Sequence, residues 1–221
     1  MFWRLRLKDV LTTRRLELLS PTSVFDGGQN VDVYEAITTR KMVSAVESKA
    51  PSRAEIERLL AAAVRAPTHH LTEPWRFIVI AGAGLDDLGD AMAMRVRAQF
   101  ADSPELDQKL ELEKSRPKRA PVIVVVIYVP STHPKAIEIE DRHSIGAAMQ
   151  NLLLAAHGMG LGAYLRTGPA AFDENVRRFL QLDPGEEIAG FIYLGYPAPG
   201  QPDSRSIRSE ISERTRWVGW D

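Results

Sequence analysis

The sequence predicts an α+β fold, and three observations carry that expectation. Helical and strand patterns follow one another without regular βαβ alternation. Pro121-Val-Ile-Val-Val-Val-Ile-Tyr128 is uncharged and β-branched, the pattern of a strand buried on both faces. Ser144 to Leu165 is long and weakly charged but contains Gln150, Asn151, His157 and four glycines. That stretch reads as a helix buried in protein and closed by a turn, rather than as a bilayer span.

The elements follow in order. Residues 1–30 read as an N-terminal arm in which arginines alternate with leucines, ending in the loop formers Asp26-Gly27-Gly28-Gln29-Asn30. Residues 31–221 then read as one domain with an extended C-terminal tail. Val31–Thr39 fits a short helix. Ser52-Arg-Ala-Glu55 is a capping box, and Ile56, Leu59, Leu60 and Ala63 behind it form one apolar helical face, stopped before Pro67. A polar loop from Ala66 to Pro74 leads into a strand at Phe77–Ile80. Helices are expected from Leu85 to about Phe100 and from Pro104 to Lys114. After the central strand comes a long helix over 138–158, then a short strand at Ala163–Arg166. Asp173 caps a short helix running to Leu180, and Ile188–Gly195 is a further strand.

Composition narrows the function. The 221 residues can bury about 70–75% of the unfolded chain's surface. Lys plus Arg (28) nearly balances Asp plus Glu (29), which argues against bulk attraction to nucleic acid or membrane. Without cysteine there are no disulfides, thiolate metal sites or cysteine nucleophiles. No secretory signal pattern opens the sequence, so the expected location is cytoplasmic. There is no Gly-x-Gly-x-x-Gly after a strand, no Walker loop, no nucleophile elbow and no His-Glu-x-x-His. Asp141-Arg-His143 is expected on a solvated helix end, and no metal site is expected.

Three constellations remain. Arg40 and Lys41, before Met42, place two cations at a helix end, suited to a phosphate or simply to the helix dipole. The loop from Arg65 through His69 to Phe77 carries many functional groups between rigid elements, or is an irregular connector anchored by Trp75. Gly160-Leu-Gly-Ala-Tyr-Leu-Arg-Thr-Gly-Pro169 lets backbone approach a planar ligand, or forms a tight helix-to-strand turn.

Taken in order, these segments resemble the nitroreductase superfamily of FMN enzymes. The carriers are Arg40-Lys41-Met42, Arg65-Ala-Pro-Thr-His69, Pro74-Trp-Arg-Phe77, Arg119-Ala-Pro-Val-Ile, Gly158-Met-Gly-Leu-Gly162, Leu165-Arg-Thr-Gly168 and Gly190-Phe-Ile-Tyr-Leu-Gly-Tyr-Pro197. The resemblance covers about Val31 to Pro197. It implies a sandwich with a central, mostly antiparallel sheet flanked by helices, in an intertwined homodimer with FMN at the subunit interface. Arg40 and Lys41 would hold the phosphate, with Met42 contributing backbone. Arg65 and His69 would join the cofactor shell, partly across the dimer. Leu165, Arg166 and Thr167 would line the ring, and Arg205 or Arg208 would complete the phosphate site.

The implied reaction is ping-pong hydride transfer from NADH or NADPH, through the flavin, to a nitroaromatic, quinone or similar small planar acceptor. No dedicated acid–base side chain is needed, and Arg166 is the candidate electrostatic stabiliser. Two departures stand out. Met42 replaces the family's serine, and loss of one hydrogen bond to a charged group costs about 1.5–3 kcal/mol. Lys41 replaces an arginine, which keeps charge but loses the bidentate fork. They keep open an alternative, a non-catalytic flavin-binding or storage protein; a cofactor-free interaction protein is a more distant one.

Overall fold

The computed structural model describes residues 32–200 and 207–220. The arm expected over residues 1–30 and the candidate Arg205 lie outside the described residues.

The fold is α+β, built around a four-stranded antiparallel sheet in the order β1-β2-β4-β3. The strands are β1 (Trp75–Ala81), β2 (Val122–Tyr128), β3 (Gly162–Arg166) and β4 (Glu187–Gly195). Every residue of β2 is buried, because the strand pairs on both edges and is covered on both faces. Val122, Val124 and Val126 join Ile192 and Leu194 in one core cluster. Ile123, Val125 and Ile127 join Phe191 and Tyr193 in another. This alternation follows from the two-residue period of a strand. β1 begins at Trp75, two residues before the apolar run starts, because Trp75 pairs with Tyr128 in the ladder.

The first cluster is closed by α2 (Arg53–Ala63) and α5 (Glu138–Gly158). Helix α2 starts at the expected capping box: the Ser52 hydroxyl accepts from the Glu55 amide, and the Glu55 carboxylate accepts from the Ser52 amide. It buries Ile56, Leu59 and Ala63 with Leu60 partly covered, and ends before Pro67 is reached. Asn151 of α5 donates Nδ2–H to the Ala62 carbonyl at 3.3 Å, tying the two helices together. The second cluster is closed by α3 (Ala83–Gln99) and α6 (Glu174–Phe179). Asp173 caps α6 by accepting from the amides of Asn175 and Val176. Helix α4 (Leu106–Ser115) packs on α3.

Two peripheral elements bury nothing. Helix α1 (Val33–Thr39) is capped by Asp32, whose side chain accepts from the amides of Tyr34 and Glu35, yet none of its residues is buried. The described tail, 207–220, forms one short turn at Ile211–Glu213; Ile207, Trp217 and Trp220 in it are exposed. Among the described residues no helix is long and apolar enough to cross a membrane.

Candidate functional site

After α1 the chain runs along the outer edge of β3. The Val43 amide donates to the Ala163 carbonyl at 2.9 Å and the Glu47 amide to the Tyr196 carbonyl at 2.8 Å. Val46 bridges to Pro197. Gly162 makes this approach feasible: a Cβ there would meet the Val43 side chain at 2.9 Å. The segment therefore carries Arg40, Lys41 and Met42 to the β3 edge, beside Leu165. Met42 Sδ accepts from the Leu165 amide at 3.5 Å, so the methionine takes up an edge donor instead of presenting a hydroxyl.

Arg40 is the informative residue of the group. It closes α1, its amide donating to the Ala36 carbonyl at 3.0 Å. Its guanidinium Nε and Nη1 are buried and have no hydrogen-bond partner among the described residues. A buried unpaired donor costs about 1–3 kcal/mol. Two on one guanidinium mark a place where an acceptor belongs.

His157, near the C-terminal end of α5, completes this corner. Thr39 Oγ1 donates to the Glu35 carbonyl at 2.7 Å, so it accepts from His157 Nε2 at 2.8 Å. The His157 pKa lies below the ordinary imidazole value, first because burial disfavours the charged form and then because Arg40 stands nearby. Glu35 opposes the shift and Lys41 adds to it. The unfolded chain therefore takes up a proton near pH 6.5, whereas the folded chain does so only at lower pH. Stability should fall on acidification through that window and recover as pH rises. Melting temperatures between about pH 7.5 and 5.5 test this: His157→Gln should flatten the slope, and an unchanged slope would remove His157 as its source.

Arg65 and His69 lie elsewhere in the same chain. Arg65 is exposed, and His69 Nδ1 pairs with Glu140 at the start of α5. Glu140 and His157 are seventeen helical residues apart, or about 25 Å at 1.5 Å per residue. Side chains so separated do not share one hydrogen-bonded shell within one copy of the chain.

The His69 loop is tightly specified. His70, Leu71 and Glu73 adopt left-handed backbone conformations with φ of 52°, 54° and 43°, a strained state for residues other than glycine. The Glu73 amide donates to Thr68 Oγ1 at 3.1 Å. Thr72 Oγ1 donates to Asp141 Oδ1 at 2.6 Å. Asp141 is thus buried, with 2% exposure, and the expectation of a solvated position for it is corrected: the Thr72 hydroxyl satisfies its carboxylate. Arg142 and His143 are exposed as expected.

Leu165 and Arg166 are neighbours on β3 and face opposite ways. Leu165 lies over Gly190, where a Cβ would meet its Cδ1 at 2.7 Å and Met149 Sδ at 3.6 Å. Arg166 lies on the other face, its guanidinium 5.9 Å from the centre of the Tyr164 ring. Thr167 is exposed just beyond the strand, and so is Arg208 in the tail, where it donates to the neighbouring Ile207 carbonyl. Sequence reasoning missed the pairing of Thr39 with His157. Its one signal was a histidine near the end of an otherwise apolar helix.

Comparison with known proteins matches this arrangement. The Nitroreductase family profile matches residues 37–196. YdjA of Escherichia coli K12, which carries the NAD(P)H nitroreductase name, is 29% identical over 167 residues, covering 76% of this chain and 89% of that protein. A nitroreductase-like protein from Bacillus cereus superposes with a TM-score of 0.73 at 25% identity, covering 87% of this chain and 98% of that one. A nitroreductase-like structure from Desulfovibrio desulfuricans, solved in complex with FMN, superposes with a TM-score of 0.65 at 25% identity, covering 85% and 97%. With its antiparallel sheet, its edge segment from Arg40 and a profile match over most of its length, the chain belongs to the nitroreductase family.

Proposed function

We propose that two copies of the chain form an intertwined homodimer, bind FMN at the subunit interface, and use NADH or NADPH to reduce small planar acceptors such as nitroaromatics and quinones. The observation that carries the flavin site is the Arg40 guanidinium, with two buried donors that lack a partner among the described residues. A phosphate accepting from both removes their cost and gains a charge-assisted pair. The FMN complex of the D. desulfuricans relative and the NAD(P)H in the name of YdjA support the choice of cofactor and donor.

The dimer is supported by what the single chain leaves uncovered. Tyr34 of α1 is 75% exposed and Trp220 of the tail 77%, and β1 is an edge strand. Apolar surface of this kind marks an interaction face. A second copy also brings its Arg65 and His69 to the corner that holds Arg40, which the first copy's own residues do not reach.

Bound FMN supplies the electron transfer between nicotinamide and acceptor. The chain's own residues bind and orient. Arg40 and Lys41 neutralise the phosphate, and Met42 offers backbone only, its sulfur being engaged by the Leu165 amide. Leu165 and Thr167 present the β3 edge to the ring, and Arg166 contributes its positive charge from the other face of the strand. The described residues that gather there include no carboxylate–histidine dyad, so the acceptor's protons come from solvent.

Anaerobic oxidation of NADPH by FMN-loaded protein with excess quinone tests the enzymatic part. Many equivalents of NADPH oxidised per flavin are expected. Oxidation of one equivalent or none would overturn the reading and favour flavin storage.

A further inference from the structure

A polar cavity opens on the face of β3 opposite Leu165, under the segment that follows Met42. It has a volume of about 400 Å³ and is lined by Val43, Ser44, Arg119, Tyr164, Arg166 and Tyr193, among others. Tyr164 and Arg166 share a face because they are two residues apart on β3, and Tyr193 stands directly across from Tyr164 in the ladder. Arg166 lies over the Tyr164 ring. Two guanidiniums therefore meet two phenol rings and a serine hydroxyl in one recess.

The nearby cations are not equivalent. Arg116 is committed to Glu113 at 2.7 Å, and Arg95 to Glu113 and Asp173. Arg119 and Arg166 have no acidic partner among the described residues. Their charge reaches the pocket: both act on the Tyr193 phenol, whose pKa burial raises and these arginines oppose. A paired cation is structural, whereas an unpaired pair of guanidiniums lining a cavity is a receptor for a planar anion.

Size and lining select the anion. Small-molecule pockets span about 300–1,000 Å³, so this cavity, near the lower end, suits a single substituted ring better than a dinucleotide. The tyrosine rings and Val43 offer surface to an aromatic ring, and the arginine forks match a carboxylate.

We propose that the cavity formed by Ser44, Arg119, Tyr164, Arg166 and Tyr193 binds the carboxylate of a small aromatic acid, at a site separated from the flavin side of β3 by the strand itself. The proposal goes beyond the flavin-reductase reading and stands without it, because the cavity lies on the other face of β3.

The test is calorimetric titration of the purified, FMN-loaded protein with 4-nitrobenzoate and with its uncharged analogue 4-nitrobenzamide. The benzoate should bind about 10- to 100-fold more tightly, the range for hydrogen bonds to a charged group. Arg119→Gln should collapse that ratio toward one. Equal affinities in the wild type, or a ratio that survives Arg119→Gln, would overturn the proposal. Flavin content is read separately from the visible spectrum. A chain without flavin that keeps the Arg119-dependent preference would sink the reductase reading and leave the pocket. A flavin-loaded chain without the preference would do the reverse.

Discussion

Arg40→Ala is expected to abolish FMN retention while leaving the flavin-free chain as stable as before or more so. The two halves of this result have opposite signs for one reason. In the flavin-free chain, Arg40 Nε and Nη1 are buried donors without partners among the described residues, each costing about 1–3 kcal/mol. Removing them relieves the native state. On the proposed reading the same donors hold a phosphate in the loaded protein, and hydrogen bonds to charged groups contribute about 1.5–3 kcal/mol each. Two such bonds correspond to a loss of roughly two to four decades in affinity. Met42 offers the phosphate no hydroxyl, so little remains to compensate. Equilibrium dialysis with FMN and thermal melts of the flavin-free variant check both halves. Unaltered FMN affinity would place the phosphate elsewhere; a strong loss of flavin-free stability would mean that Arg40 is structural.

Subunit mixing gives the second large effect. Arg40→Ala and His69→Ala chains should each fail to retain FMN as homodimers, whereas a mixed dimer of the two should bind one flavin with nearly wild-type affinity. The logic follows from α5. His69 is held by Glu140 near one end, and Arg40 lies by His157 near the other, about 25 Å away. If each site takes Arg40 from one copy and His69 from the other, the mixed dimer contains one site with both lesions and one with neither. If each site lies within one copy, both sites are damaged and no flavin is recovered. Differently tagged chains, co-expressed and purified through both tags, give the count directly.

Much of the architecture is legible in the sequence because local and global signals agree. The Ser52–Glu55 capping box, the fully buried β2, the limits of α5 at 138 and 158, and the Asp173 cap all follow from side-chain chemistry and periodicity. What was not legible depends on partners distant in sequence. β1 reaches back to Trp75 because β2 offers Tyr128 opposite it. Asp141 is buried because Thr72, sixty-nine residues earlier, supplies a hydroxyl. The left-handed run at His70, Leu71 and Glu73 lacks the glycine that usually announces such geometry. Helix α1 has a sound cap and an apolar stripe yet buries nothing among the described residues.

The candidate site shows the same division. Proximity of Arg40, Lys41 and Met42 is trivial in sequence, but their meeting with Leu165 requires the edge pairing of Val43 with Ala163. The opposite orientations of Leu165 and Arg166 follow from strand period alone. In the readings proposed above, Leu165 faces the flavin and Arg166 the anion cavity. The unpaired state of the Arg40 guanidinium could not have been read from composition at any level.

The most direct test of the flavoprotein claim is the visible absorption spectrum of the purified chain, recorded as isolated, after addition of FMN, and then after NADPH. A protein-bound flavin spectrum that survives gel filtration and bleaches when NADPH is added is expected. A colourless protein that fails to retain added FMN would contradict it.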